Sequence, residues 1–599
     1  MNAKVKVSDW ICECLEQQGV SHVFLLSGGM MMHLLDSLSR SRAIKYICNH
    51  HEQASAMAAE AFARQGGRLG VCYATGGPGA TNTITGVLGA WLDSSPVLFL
   101  TGQSRTTLTV RGVGLPNLRM VGNFEVDITQ IVKPITKYAV FINDPKTIAY
   151  HLGKAIYLAC SGRPGPVLLD IPLDIQGALI DRSSLTPFVP PRLAYELSPD
   201  AVAKLVERLT EAQRPLILAG HGIRVATQVG AFRELVAQLG IPVVTTQLAN
   251  DLLPYADPFY IGKVGLRGDR AGNFAVQNCD LLLVIGSSLH ITTTGYELQH
   301  FAPQAEKVIV NLDEAELGRN HVRAQTLICC DIAVFLAGLN RQAKRFHATA
   351  AAGHWLERCQ RWKNFFPVAR EPHVALSDTI NTYHLVGVLN DLLKGEETLV
   401  TDAGSLYYIV GQAFHPRSGQ RVIVSGALGS MGYALPAAIG AACASPGTMV
   451  VCLTGDGSMH ANVQELATLA NSRLNCKIIM INNGGYASIR NSQSSFCEGN
   501  IAAASRDTGV TFPDWRKLAE AYGLPYVSES QMSKLPETIA RFFSSSGPAF
   551  CEIIVPENVE MLPAVTSEKL PDGSFKSNRL DEMSPPLPDG LREAGLTSH

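Results

Sequence analysis

Short runs of Val, Ile and Leu alternate along this chain with segments whose apolar residues return at helical spacing. Runs such as "RLGVCYAT" (68–75), "PVLFLTG" (96–102), "TMVVCLTG" (448–455) and "CKIIMIN" (476–482) are apolar on both faces. That is the signature of strands covered by helices on each side of a parallel sheet. Between the last two, Val463, Leu466, Ala467 and Ala470 predict a crossover helix with one buried face. The expected class is α/β, with three doubly wound parallel-sheet domains.

Two stretches interrupt the alternation. "SSLTPFVPPRLAYELSPD" (183–200) is proline-rich, and the polar region near 343–375 reads as irregular. They divide the chain into an N-terminal domain at 1–185, a central domain at 196–345 and a C-terminal domain at 375–562. Residues 563–599, rich in Pro, Ser and charge, read as an extended tail over the surface or a partner subunit. The first and third parts repeat the order strand, Gly-rich turn, helix, strand.

A chain of 599 residues is too long for one core. Its formal charge of -2 and 17% charged residues carry no basic or acidic block, which argues against nucleic acid as a partner. No signal-peptide or membrane-length apolar stretch is visible, and the 14 cysteines lack zinc-site spacing. The expectation is a cytoplasmic protein with reduced thiols and no membrane association.

The stretch "LTGDGSMHANVQELATLANSRLNCKIIMINN" (453–483) needs more than packing to explain it. A right-handed crossover makes its two strands parallel, so Asp456 and Asn483 fall on one edge of the sheet. One carboxylate, one amide carbonyl and a nearby main-chain carbonyl suit a hard divalent cation such as Mg²⁺. Gly455 and Gly457 let the main chain approach a diphosphate, and the following helix N-terminus favours negative charge. Either fragment alone is an ordinary turn or strand end.

Together, GDG followed by NN resembles the thiamine-diphosphate motif. The resemblance implies Asp456, Asn483 and the carbonyl of Gly485 as Mg²⁺ ligands, with Gly455, Gly457 and Ser458 beside the diphosphate. It also requires one glutamate for the aminopyrimidine ring. "NHHEQASAMAAEAFAR" (49–64) supplies Glu52 and resembles the family's HEQ segment. "ATGGPGATNTITGVLGAWLDSSPVLFLTGQ" (74–103), "SGRPGPVLLDIP" (161–172) and "GALGSMGYALPAAIGA" (426–441) are similar to the acetohydroxyacid synthase branch. By that resemblance Met431 props the coenzyme, the Gly429 carbonyl accepts its amino group, and Gln103 lies near the reacting centre. Backbone of Ala403, Gly404 and Ser405 would meet the diphosphate. The family's active sites lie between subunits, which implies a homodimer or homotetramer.

The acceptor half departs from the pattern. Ser492 stands where branched-chain-pathway members carry Trp, and "ASI" replaces their "GMV". "NHHEQ", "TGVLGAWLDS", "VKPITKYAV", "GYASIRNSQ" and "LPDGS" look closer to the flavin-containing carboligases of branched-chain sugar (yersiniose) formation. These join the two-carbon unit of pyruvate to the C4 ketone of a CDP-4-keto-3,6-dideoxyhexose. Arg490, Arg267 and Arg270 are candidates for the nucleotide phosphates, against the reading of solvated side chains. The central part resembles the family's FAD-binding domain and implies FAD in a non-redox role, although GxGxxG is absent and His151 replaces an arginine. The expected activity is a pyruvate-dependent carboligase; plain acetolactate synthase and a pyruvate oxidase or decarboxylase are the alternatives.

Overall fold

The computed structural model describes residues 4–590 except 116, 192–194, 372–373, 375–376 and 589. It contains three six-stranded sheets, each wholly parallel. Numbered in chain order within its own sheet, the first runs 2-1-3-4-6-5, from His22–Leu25 to Val167–Pro172, and the third runs 2-1-3-4-6-5, from Thr398–Thr401 to Ala549–Ile554. The repeated plan read from the two segments is thus a repeated topology. The middle sheet, from Pro215–Ala219 to Thr326–Cys329, runs 3-2-1-4-5-6, the order of dinucleotide-binding sheets.

In the first and third sheets the strand order reverses between strands 1 and 3, and the loops leaving those two strands part to open a crevice. In the third sheet these are the loops after Thr398–Thr401 and Val450–Gly455. Fold topology alone therefore sets Ala403 and Gly404 opposite Gly455 and Asp456.

The first and third domains share one core. The helix Glu52–Gly66 lies against the helix Ala434–Ala444, and both bury many alanines. Small residues let the backbones touch: a Cβ added at Gly440 would stand 2.0 Å from the carbonyl oxygen of Ala58. Larger side chains there would hold the domains apart.

Two expectations need correction. The region near 343–375 is not irregular, because Ala350–Phe365 is a helix. Trp355, Cys359, Trp362 and the following Phe366 recur at helical spacing and are buried, the two later rings packing on Phe274 of the central domain. That packing carries the central unit past the expected boundary at 345. The described part of the tail also folds back instead of trailing away. Ala564–Val565 pairs with Met583–Ser584, Ser567–Lys569 pairs with Phe575–Ser577, and Leu580 and Met583 are buried.

Candidate active site

Asp456 opens the helix Asp456–Ala461 and is 2% exposed. Its Oδ1 accepts from the N–H of Gly457 at 2.7 Å, and its Oδ2 accepts from the N–H groups of Asn483 and Gly485, both at 3.1 Å. The two strand ends predicted to share an edge are thereby joined through one carboxylate. Burial pushes that carboxyl up to about 6 against the pull of these donors. A carboxylate oxygen in so dry a place is a hard ligand of the kind that Mg²⁺ takes. Gly485 lies at φ +152°, and a Cβ there would meet the Ala504 carbonyl at 2.3 Å. The glycine is needed for that close approach.

The remaining glycines border open space. A Cβ on Gly455 would meet nothing within 4 Å, one on Gly404 only Ser488 Oγ at 3.5 Å, and one on Gly429 only Ala403 Cβ at 3.9 Å. Ser405 begins the helix Ser405–Ala413, whose N-terminus follows Gly404. Met431 lies 45% exposed beside this space, between Gly429 at φ +66° and Gly432 at φ +76°. Ser458 is buried; its Oγ accepts from the N–H of Gly432 at 2.8 Å. Gly457 is different: its Cβ would strike the Tyr486 ring at 2.2 Å, so the glycine admits an aromatic ring beside the carboxylate.

Glu52 is the first residue of its helix and 6% exposed. Its Oε2 accepts from Asn82 Nδ2 at 3.0 Å, and His51 caps the helix by accepting from the N–H of Gln53 at 3.1 Å. The preceding loop is fastened to the C-terminal domain of the same chain, where Glu465 accepts from Asn49 Nδ2 and the His50 N–H, each at 2.9 Å. Among the described residues no hydrogen bond links Glu52 to the Asp456 cradle.

Chains assembled on this plan are known. The N-terminal TPP binding domain of thiamine pyrophosphate enzymes matches residues 5–120, their central domain 202–339 and their C-terminal TPP binding domain 402–553. Acetolactate synthase 3, chloroplastic, of Brassica napus is 32% identical over 586 residues, 95% of this chain and 86% of that protein. Acetolactate synthase 2, chloroplastic, of Nicotiana tabacum is 33% identical over 584 residues, 95% and 84% of the two chains. The Zea mays acetolactate synthase 2, chloroplastic, is 33% identical over 594 residues, 97% and 89%. The chain belongs to the acetolactate synthase family of thiamine-diphosphate enzymes. It is a thiamine-diphosphate-dependent enzyme that forms carbon–carbon bonds.

Several other side chains named in the sequence are engaged within the chain. Gln103 is 1% exposed and its amide is engaged within the N-terminal domain. Nε2 donates to the Val126 carbonyl at 2.8 Å and to Asp170 Oδ2 at 3.0 Å, while Oε1 accepts from the N–H of Ser104 at 3.0 Å. Neither a solvated role nor phosphate binding fits the three arginines. Arg270 is paired with Glu371 and donates to the Pro585 carbonyl at 2.6 Å; Arg267 donates to the Met561 carbonyl and lies over Tyr408. Arg490 donates to the carbonyls of Ala504 at 2.8 Å and Asn483 at 3.1 Å, bracing the loop that carries the amide. His151 is bonded to Tyr138 Oη at 2.6 Å in the N-terminal domain.

Sequence reasoning missed Asp402. It is 1% exposed at the end of strand Thr398–Thr401, its Oδ1 accepts from the N–H of Ala434 at 2.7 Å, and its Oδ2 accepts from the Thr454 hydroxyl. Burial pushes it up to about 6. It stands in "TDAGSLYY" after a strand that reads TLVT, and nothing local singles it out. Among the described residues no helix is long and apolar enough to cross a membrane.

Proposed function

We propose that this protein releases CO2 from pyruvate on thiamine diphosphate and passes the remaining two-carbon unit to a ketone, and that the ketone is a nucleotide-linked 4-keto-deoxysugar of the CDP type. Thiamine diphosphate supplies the electron sink that makes decarboxylation of a 2-keto acid possible. Asp456, Asn483 Oδ1 and the Gly485 carbonyl would hold Mg²⁺. Backbone of Ala403, Gly404, Ser405, Gly455 and Gly457, with Ser458, would surround the diphosphate, while the Gly429 carbonyl and Met431 support the rest of the coenzyme. Glu52, buried and oriented by Asn82, would hydrogen-bond the aminopyrimidine ring. Gln103 keeps only a lone pair of Oε1 for substrate, and fastens the loop that follows it.

The observation that carries the choice of acceptor is Ser492. On the helix Ala487–Phe496 that follows the metal loop, it is exposed and folds its hydroxyl back onto the Ser488 carbonyl at 3.0 Å. A small, self-satisfied side chain leaves that face open where a large ring would close it. A bulky sugar acceptor fits such an opening better than a second pyruvate.

FAD in a non-redox role is part of the same reading, supported by the dinucleotide-type strand order of the central sheet. Flavin absorbance released from purified protein on denaturation tests it. A homodimer or homotetramer is supported by the exposed apolar side chains Leu115, Met120 and Phe124 beside Gln103's loop. Free cysteines are in keeping with a cytoplasmic setting.

The test is incubation with pyruvate, Mg²⁺ and thiamine diphosphate, with and without a CDP-4-keto-3,6-dideoxyhexose. A sugar adduct is expected; absence of CO2 release in both mixtures refutes the carboligase. The second reading, favoured by what the relatives are called, is acetolactate formation, and acetolactate as main product despite the sugar would establish it. Glu52→Gln is expected to abolish turnover while Mg²⁺-dependent coenzyme binding persists.

A further inference from the structure

The helix that begins with Glu52 carries a second acid, Glu60, which is 2% exposed and has no place in the chemistry above. Its Oε1 accepts from Ser95 Oγ at 2.6 Å and its Oε2 accepts from the Tyr433 hydroxyl. One turn later Arg64 donates to the Val424 carbonyl at 2.8 Å and lies 3.3 Å from Asp93 Oδ2. Asp93, 5% exposed, accepts from the Ala427 N–H at 3.0 Å and the Gly426 N–H at 3.3 Å. Glu60, Asp93 and the side chain of Arg64 belong to the N-terminal domain, yet they hold both ends of one C-terminal segment, residues 425–433, while Ser95 touches only Glu60.

That segment is the one carrying Gly429 and Met431. It has no strand or helix of its own and takes positive φ at Gly429 and Gly432, so its shape must be imposed from outside. Gly432 is held from within the C-terminal domain by Ser458 and by Asn462, whose Nδ2 donates to its carbonyl at 2.7 Å. The start of the segment has Asp93. Two successive N–H groups pointing at one carboxylate, with a guanidinium behind it to offset the buried charge, is an arrangement that a neutral amide cannot copy. An asparagine would turn an NH2 toward one of those three donors.

We propose that Asp93 is a positioning residue for the coenzyme: by fixing the first N–H groups of 425–433 it sets the Gly429 carbonyl and Met431, and so couples the N-terminal domain of a chain to the coenzyme cradle of the same chain. The inference rests on the reading of Gly429 and Met431 as coenzyme supports. Because the Arg64–Glu60 pair sits on the helix that starts at Glu52, one rigid element carries the acid and braces the cradle segment.

The test is calorimetric titration of thiamine diphosphate, at saturating Mg²⁺, into the full-length wild type, Asp93→Asn and Ser95→Ala. Ser95→Ala breaks a bond to Glu60 in the same cluster without touching an N–H of the segment. Both variants lower Tm, but only Asp93→Asn weakens coenzyme binding, by about tenfold, the loss of one charge-assisted bond. If Asp93→Asn yields no folded protein, Tyr433→Phe frees the other end of the segment from Glu60 and is expected to weaken binding in the same direction. Wild-type affinity in the variant used, or equal weakening by Ser95→Ala, overturns the inference. Failure of the wild type itself to bind would remove the cradle reading, a result visible apart from the variant ratio.

Discussion

Replacing Gly440 by alanine sets two known effects against each other. In the interior of an exposed helix the change stabilises by about 1 kcal/mol, because glycine loses more backbone freedom on folding. Gly440 is instead buried in Ala434–Ala444, and the new Cβ would lie 2.0 Å from the Ala58 oxygen and 2.8 Å from its carbonyl carbon. A comfortable carbon–oxygen contact is roughly 3.3 Å, so the helices must separate by about 1.3 Å. The obstacle is main chain in the middle of Glu52–Gly66 and cannot rotate away. Overpacking of this kind costs about 1–3 kcal/mol or more, which outweighs the helix gain. The same shift displaces the helix that carries Glu52, and a misplacement of about 1 Å lowers turnover by up to ~100-fold. Gly387, in the helix Thr382–Leu392, is the internal control, since a Cβ there meets nothing within 4 Å. Urea and thermal unfolding of both variants should place Gly387→Ala at or above wild type and Gly440→Ala clearly below it, with lowered activity. If Gly440→Ala unfolds no earlier than Gly387→Ala, the close interdomain packing described above is wrong.

Arg270→Met should destabilise by about 3–5 kcal/mol, because Glu371 is left buried without its partner, whereas Arg270→Met with Glu371→Leu should recover most of that loss. Limited proteolysis should still cut the tail faster in the double variant, since the Pro585 carbonyl loses its donor; a double variant as unstable as the single one refutes the account. Asp170 is fully buried, and burial raises its carboxyl from 3.8 to about 7 although Gln103 and Thr101 donate to it. The native state therefore keeps a proton that the unfolded chain has lost, so this contribution to stability is complete below about pH 4 and vanishes as pH rises through about 7. The Tm advantage of wild type over Asp170→Asn should shrink from pH 5 to pH 8; an advantage that grows with pH would contradict it.

The sequence by itself determined the α/β class, the positions of the strands and the pairing of Asp456 with the Asn483 loop, because each follows from periodicity and from a crossover confined to about thirty residues. The Glu52 helix start was equally local. Only the tertiary structure decided what surrounds each polar group. Arg267, Arg270 and Arg490 read as solvated or phosphate-binding, yet Arg270 is enclosed by Glu371 and the tail's Pro585, and Arg267 and Arg490 donate to the carbonyls of Met561 and Glu557, far along the chain. The helix Ala350–Phe365 escaped notice because its polar residues outnumber the Trp, Cys and Trp that bury against Phe274. Asp93 and Asp402 carry no local mark of their roles, since the N–H groups they accept belong to residues remote in sequence. Hydrophobic period is a property of neighbours along the chain, whereas burial and partnership of a charge depend on which distant backbone arrives beside it.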